Sequence, residues 1–71
     1  MTNTQLLREK IDESGYKLRF IAKKLGITYQ GFLNKSNNDT EFKASEIQIL
    51  CELLNIDIQQ KEVIFFAINV E

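Results

Sequence analysis

The chain has 71 residues, of which 44% are hydrophobic and 27% are charged, and its formal net charge is −1. This length and composition are typical of one folded domain with a small hydrophobic core, and they exclude a two-domain protein and a disordered tail. The single cysteine, Cys51, and the absence of histidine exclude an internal disulfide and a thiolate metal site, so we expect no metal and no cofactor.

The first predicted helix ends at Gly15. Leu7 and Ile11 precede this glycine at a spacing of four, as the apolar stripe of a helix precedes a left-handed C-terminal cap. The opening residues also have the spacing of a capping box. Either Thr2 or Thr4 is therefore the expected N-terminal cap of this helix.

A second helix is predicted to end at Gly26, and a third to begin shortly after it. Thr28 is expected to cap the third helix, whose inner face carries Phe32. The small polar residues 36–40 then predict a loop. The second helix is predicted from apolar side chains at helical spacing, namely Leu18, Ile21, Ala22 and Leu25.

Two further helices are predicted beyond this loop. The fourth lies in ASEIQILCELLNI, where Ser45 begins a capping box and Cys51 is interpreted as a core residue on the apolar face. A fifth helix is predicted over residues 58–67 after a start signal at Asp57, and the β-favouring run 63–66 leaves a strand as the alternative. These patterns together predict an all-α fold, a compact bundle of four to five helices.

The segment IAKKLGITYQGFLNK has the pattern of two helices that cross through a tight turn. Such a crossing needs a small residue where the backbones approach and a glycine where the chain reverses, and Ala22 and Gly26 meet these needs. The segment resembles the helix-turn-helix of Cro/repressor-type regulators, the XRE-like or lambda-repressor-like family of bacteria and phages. The likeness extends over most of the chain, because FKASEIQILCELLNI resembles the helix that closes the family's core, and KEVIFFAINVE is similar to small phage-associated members.

The resemblance implies a single lambda-repressor-like DNA-binding domain over residues 1–71, with its helix-turn-helix at about 18–35. It also implies a sequence-specific regulator of transcription that acts by occupying an operator in double-stranded DNA. In that family the third helix lies in the major groove and reads base edges with its first side chains. Gly31 then either lets this helix approach DNA closely or merely marks the surface of a short helix. By position, the expected base-reading residues are Tyr29, Gln30 and Asn34.

Phosphate contacts in this family come from the start of the second helix, the cap of the third and the loop after it. Two positions depart from the family pattern. Leu18 replaces a common glutamine, and Lys35 replaces a common buried leucine, so we expect its stem to lie over the core with the ammonium reaching outward. The positions implied to contact phosphate are Lys17, Arg19, Thr28, Lys35, Ser36, Asn37 and, more distantly, Lys43.

The apolar ending predicts self-association through a dimerisation segment at residues 58–71. A two-fold pair would place two reading helices about 34 Å apart, matched to a palindromic operator. We therefore expect a weak homodimer, and the alternative is that the aromatic side chains complete the monomer core. The residues expected to form the dimer contact are Phe65, Phe66, Ile68 and Val70.

The distribution of charge agrees with a polyanionic partner. Residues 16–38 carry five cations and no acid, whereas residues 39–71 carry a net charge of −5. The alternative is that these charges only solvate the surface. No run of 18 apolar residues occurs and the start lacks the pattern of a secretory signal, so we expect a cytoplasmic protein without membrane contact.

Other function classes have weaker support in the sequence. No acid, base and nucleophile converge as an enzyme requires, so we expect no enzymatic activity. We expect no additional ligand-sensing domain and no small-molecule effector. The alternative function is a protein–protein adaptor or an antitoxin that uses the apolar C-terminal segment.

Overall fold

A computed structural model describes residues 1–66 of the chain, and all of its regular elements are helices. Within these residues there is no strand, which confirms the all-α prediction for this part of the chain. The described residues also contain no helix with the length and apolar character needed to cross a membrane. The helices are α1 (Thr4–Ser14), α2 (Leu18–Leu25), α3 (Tyr29–Ser36), α4 (Ala44–Leu53) and α5 (Ile58–Phe65).

The ends of α1 confirm one prediction and correct another. Gly15 follows the helix at φ 75°, a left-handed conformation that glycine adopts without steric cost. At the other end Asn3, rather than Thr2 or Thr4, is the cap, and its side-chain Oδ1 accepts a hydrogen bond from Leu6 N at 3.1 Å. Thr2 is instead buried, and its backbone is bonded to the side chain of Asn38, in the loop after α3.

The turn between α2 and α3 forms as its sequence predicts. Gly26 adopts φ 75° at the end of α2, and Ile27 N donates to Ala22 O at 3.1 Å. Thr28 Oγ1 then accepts from Gly31 N at 3.0 Å and so caps α3. We call residues 26–28 the α2–α3 turn. Both of its predicted caps are confirmed.

The first turn of α4 differs from its prediction. The helix begins one residue before Ser45, with Lys43 as the cap position, and Glu46 Oε1 accepts from Lys43 N at 2.8 Å. Glu46 therefore performs the capping role that the sequence had suggested for a box at Ser45. We call residues 37–43, which connect α3 to this helix, the α3–α4 loop.

The start of α5 is confirmed, because Asp57 Oδ1 accepts from Gln60 N at 2.7 Å. The helix continues through Phe65, so residues 63–65 are helical and the strand alternative is wrong for them. The helix ends at Phe65, with Phe66 as its non-helical cap, so the prediction of a helix over residues 58–67 was too long at its C-terminal end. Residue 67 itself lies outside the described residues.

The buried apolar side chains form one cluster to which every helix contributes. Phe42 joins this core although it lies in the α3–α4 loop. Its ring packs edge-on against the rings of Phe32 and Phe65, with centroid distances of 6.2 Å and 5.7 Å. Cys51 packs against the cluster on α4, and burial raises the pKa of its thiol. Both observations agree with a packing role for this cysteine.

Candidate nucleic-acid interface

The exposed side of α3 carries two amide side chains in contact. Gln30 and Asn34 are one helical turn apart, and Gln30 Nε2 donates to Asn34 Oδ1 at 3.0 Å. The structure therefore brings together two of the three residues predicted to read bases. Gln30 is exposed and Asn34 is half-buried, and the hydrogen bond that joins them is itself exposed.

Tyr29, the third predicted base-reading residue, is turned toward α2. The Arg19 guanidinium lies over its ring, with Cζ 4.2 Å from the ring centroid. This cation–π contact joins the first turn of α2 to the first turn of α3. It holds the Arg19 cation beside the first turn of α3.

A groove runs between α1, the start of α2 and α3, and it collects several predicted phosphate contacts. Its floor is apolar, formed by residues such as Leu18 and Leu33. Among residues 1–66, Asp12 is the one acid in its lining. Its polar and aromatic lining includes Arg8, Lys17, Arg19, Tyr29, Ser36 and Asn37.

Arg8 is a candidate phosphate contact that the sequence did not indicate. It follows the buried Leu7 on α1, so it lies at the edge of that helix's inner face. Its approach to Lys17 and Arg19 depends on how α1 packs beside α2, which no local pattern in the sequence specifies. Within residues 1–66 none of these three cations forms an ion pair.

Two hydroxyl groups near the groove differ in what they offer a ligand. Thr28 Oγ1 accepts from Gly31 N, so its own proton remains available for donation to a phosphate oxygen. Ser36 Oγ, by contrast, donates to Phe32 O at 2.8 Å. Its proton is therefore committed to its own helix, whereas the neighbouring Asn37 is exposed.

Lys35 differs from the expectation that its ammonium reaches outward. Its Nζ lies 2.6 Å from Glu46 Oε1, and the two side chains are only 14% and 7% exposed. Burial raises the pKa of the Glu46 carboxyl. The hydrogen bonds from Lys35 and from Lys43 N together lower this pKa by more than burial raises it, so the net pKa lies below the usual value. Lys43 has an exposed side chain, and its backbone N–H is the group bonded to Glu46.

Gly31 lies directly above the cap of α3. A Cβ added at this position would meet Thr28 Oγ1 at 3.0 Å, closer than nearly all ordinary contacts of this kind. A larger residue would therefore press on the hydroxyl that caps the helix. This local crowding is a third reason for glycine, in addition to the two that the sequence suggested.

The residues expected to form a dimer contact divide into three groups. Phe65 is 4% exposed and lies in the core, so its assignment to a dimer surface was wrong and the monomer-core alternative holds for this ring. Phe66 is 50% exposed, and Ile68 and Val70 lie outside the described residues. Two residues of α5 that were not predicted, Ile58 and Val63, are also exposed.

An exposed contact between two aromatic rings lies at the start of α2, between Tyr16, which precedes the helix, and Phe20. The rings of Tyr16 and Phe20 are 5.0 Å apart, and Lys24 Nζ lies 5.5 Å from the centroid of the Phe20 ring. Lys23 is exposed on the same helix. Tyr16 also lines the groove, so this contact adjoins the flank on which Arg19 approaches Tyr29.

Comparisons of the chain with family models, with curated proteins and with solved structures each returned no match. The side chains of α2, α3 and the groove therefore supply the physical grounds on which a function can be assigned. They combine exposed amides on one short helix with cations along one side of it.

Proposed function

We propose that the protein is a sequence-specific double-stranded DNA-binding regulator of transcription, a Cro/repressor-like protein with a lambda-repressor-like fold. In this proposal α2, the α2–α3 turn and α3 form the helix-turn-helix, and α3 enters the major groove. The observation that carries the proposal is the contact between Gln30 and Asn34 on the exposed face of α3, beside a groove lined by cations.

The amide pair suits base recognition. Glutamine and asparagine each bond adenine in two places in the major groove, through an N–H and a carbonyl oxygen. The hydrogen bond from Gln30 to Asn34 aligns the two amides before DNA arrives. Exchanging this exposed bond for bonds to a base costs little, because the net contribution of such a bond is about 1 kcal/mol.

The cationic groove suits the phosphate backbone that borders the major groove. Arg8, Lys17 and Arg19 line it, and the Tyr29 ring holds the Arg19 guanidinium near α3. The hydroxyl of Thr28 and the exposed Asn37 add uncharged donors at the two ends of α3. Each cation that neutralises a phosphate steepens the salt dependence of binding by about 0.9 in log–log slope.

A homodimer on a palindromic operator would use the exposed apolar side chains of α5 and the residue after it. Ile58, Val63 and Phe66 are at least half exposed, with exposed fractions of 77%, 50% and 50%. Two copies joined in this way present two α3 helices to successive turns of one face of DNA. The mechanism is occupancy: the bound dimer, acting in the cytoplasm, blocks or guides RNA polymerase.

The test begins with selection of bound sequences from a random duplex pool, followed by affinity measurements on the best sequence and on a scrambled duplex. We expect an enriched, two-fold symmetric sequence and an affinity that falls steeply with salt. Gln30→Ala should relax discrimination at one position by about 1–3 kcal/mol while leaving the circular dichroism spectrum unchanged. Absence of enrichment, with no binding at low salt, would refute the proposal.

A second candidate function is an adaptor or antitoxin that binds a protein through α5. The exposure of Ile58, Val63 and Phe66 favours it, since such a surface also suits a protein partner. The two functions differ in their response to substitution. If the protein is an adaptor, polar substitution of Val63 and Phe66 abolishes its binding to the partner protein. If it is a DNA-binding regulator, the same variant keeps weak, salt-dependent binding to duplex DNA.

A further inference from the structure

Glu46 is the one charged residue that the core encloses within residues 1–66, with 5% of its surface exposed. Its Oε1 accepts from Lys35 Nζ at 2.6 Å and from Lys43 N at 2.8 Å. One carboxylate oxygen thus joins the last turn of α3 to the first turn of α4. Both side chains are mostly buried, which raises the question of what the ion pair does.

Stability is a weak explanation for this ion pair. Removing two charges from water costs several kcal/mol per ion, and a buried pair is often no better for stability than apolar side chains of similar volume. Removing only one partner, however, leaves an uncompensated charge and is strongly unfavourable. The pair therefore penalises every arrangement in which the end of α3 moves away from α4.

The helix that this pair restrains is short. α3 has eight residues and packs chiefly against α2, so few contacts fix the direction of its C-terminal end. Lys35 directly follows Asn34, whose side chain bonds Gln30. A change in the direction of α3 would shift both amides relative to a DNA groove.

We propose that the ion pair between Lys35 and Glu46 sets the orientation of α3, so that Lys35 is a positioning residue rather than a phosphate contact. This inference rests on the proposed function for its biological meaning. Its structural content, the orientation of α3 relative to α4, is measurable without DNA.

The test compares wild type with the double variant Lys35→Met/Glu46→Gln. Methionine keeps an apolar stem, and glutamine keeps an oxygen that can accept from Lys43 N, so the cap of α4 is retained while the ion pair is lost. Lys35→Arg keeps the charge and is the rescue variant. The matched control is Lys10→Met/Glu13→Gln, which removes the partly exposed ion pair of α1, whose Nζ and Oε1 are 3.7 Å apart.

Two measurements are made on each protein. Residual dipolar couplings of backbone N–H groups report the angle between α3 and α4, and affinities for the selected duplex and a scrambled duplex report sequence discrimination. In the double variant we expect a changed angle and a ratio of the two affinities reduced by about tenfold, comparable to the loss of one bidentate base contact. Lys35→Arg and the α1 control should keep the wild-type values.

Two results would overturn the inference. Couplings that fit the wild-type angle in the double variant, with an unchanged ratio of affinities, would mean that the pair is only a structural contact. Equal weakening on both duplexes, with the salt slope reduced by about 0.9, would mean that Lys35 contacts phosphate after all. If the wild type binds no duplex, the proposed function fails, but the couplings still decide whether the pair orients α3.

Discussion

The two connections that flank α3 are held by different kinds of contact. The α2–α3 turn is closed by neighbours in sequence, since Ile27 N donates to Ala22 O and Thr28 Oγ1 accepts from Gly31 N. The α3–α4 loop also has local bonds, such as that from Asp39 N to Asn34 O at 2.8 Å, but it is held from a distance as well. In it, the side chain of Asn38 bonds the backbone N and O of Thr2, at 2.9 Å and 2.7 Å.

Phe42 anchors the loop in the core, and the ion pair between Lys35 and Glu46 joins the two helices that the loop connects. The start of α3 is therefore held chiefly by bonds between neighbours in sequence, whereas its end combines such bonds with contacts to distant parts of the fold. Under the proposed function, local bonds place the amides on the exposed face, and tertiary contacts set the direction in which that face points. Substitutions distant from α3 should accordingly disturb its end more than its start.

The largest expected effect is on the loop, in Phe42→Ala. This substitution removes a ring that packs against Phe32 and Phe65 in the core, and such a truncation costs about 3–5 kcal/mol. That is a large fraction of the stability of a small domain. Urea denaturation followed by circular dichroism should show a domain that is unfolded or close to its midpoint without denaturant.

The matched control for this ring is Phe20→Ala on α2. Phe20 is 40% exposed, so its truncation should shift the urea midpoint far less than that of Phe42. Similar losses for the two variants would show that the α3–α4 loop does not depend on its anchor in the core.

The next largest effect is expected for Glu46→Ala. The substitution leaves the Lys35 ammonium without its partner in a mostly buried position and also removes the cap bond to Lys43 N. Breaking a buried pair in this way costs about 3 kcal/mol or more. Glu13→Ala, which breaks the exposed pair with Lys10, should cost at most about 1 kcal/mol, as judged from urea midpoints of both variants.

A smaller effect of the same contact should appear as a dependence of stability on pH. Burial raises the pKa of Glu46, but bonds from Lys35 and Lys43 N together lower it by more. The Glu46 carboxylate therefore binds a proton less readily in the folded state than in the unfolded state. This contribution to stability is complete above the unfolded pKa, about 4.3, and is lost as pH falls through the folded pKa. Urea midpoints between pH 7 and pH 3 should fall more steeply for wild type than for Glu46→Gln, and parallel curves would contradict this.

Much of the fold was predictable because the signals for helix ends are local. Gly15 and Gly26 end helices in the left-handed conformation, and Thr28 and Asp57 begin helices by accepting a backbone N–H three residues ahead. The cap at Asn3 was missed because threonine stands on either side of it and the three side chains offer similar chemistry.

Part of the candidate site was predictable: helical spacing predicted the face of α3, and the family resemblance predicted four residues that line the groove, namely Lys17, Arg19, Ser36 and Asn37. Gln30 and Asn34 share a face of α3 by helical spacing alone. Arg8, Glu46 and Phe42 were missed because their roles arise from contacts between distant segments. Lys35 shows the same limit, since whether a lysine faces solvent or a buried carboxylate depends on the neighbouring helix.

The smallest expected effect is on the α2–α3 turn, in Thr28→Ala. The substitution removes the oxygen that accepts from Gly31 N and should cost about 1 kcal/mol of stability, the typical value of an N-terminal cap. Thr28→Ser keeps the oxygen and is the control. Because the contact is local, residual dipolar couplings in α4 should not change in Thr28→Ala, whereas couplings that change in both α3 and α4 would mean that the start of α3 is also fixed by the rest of the fold.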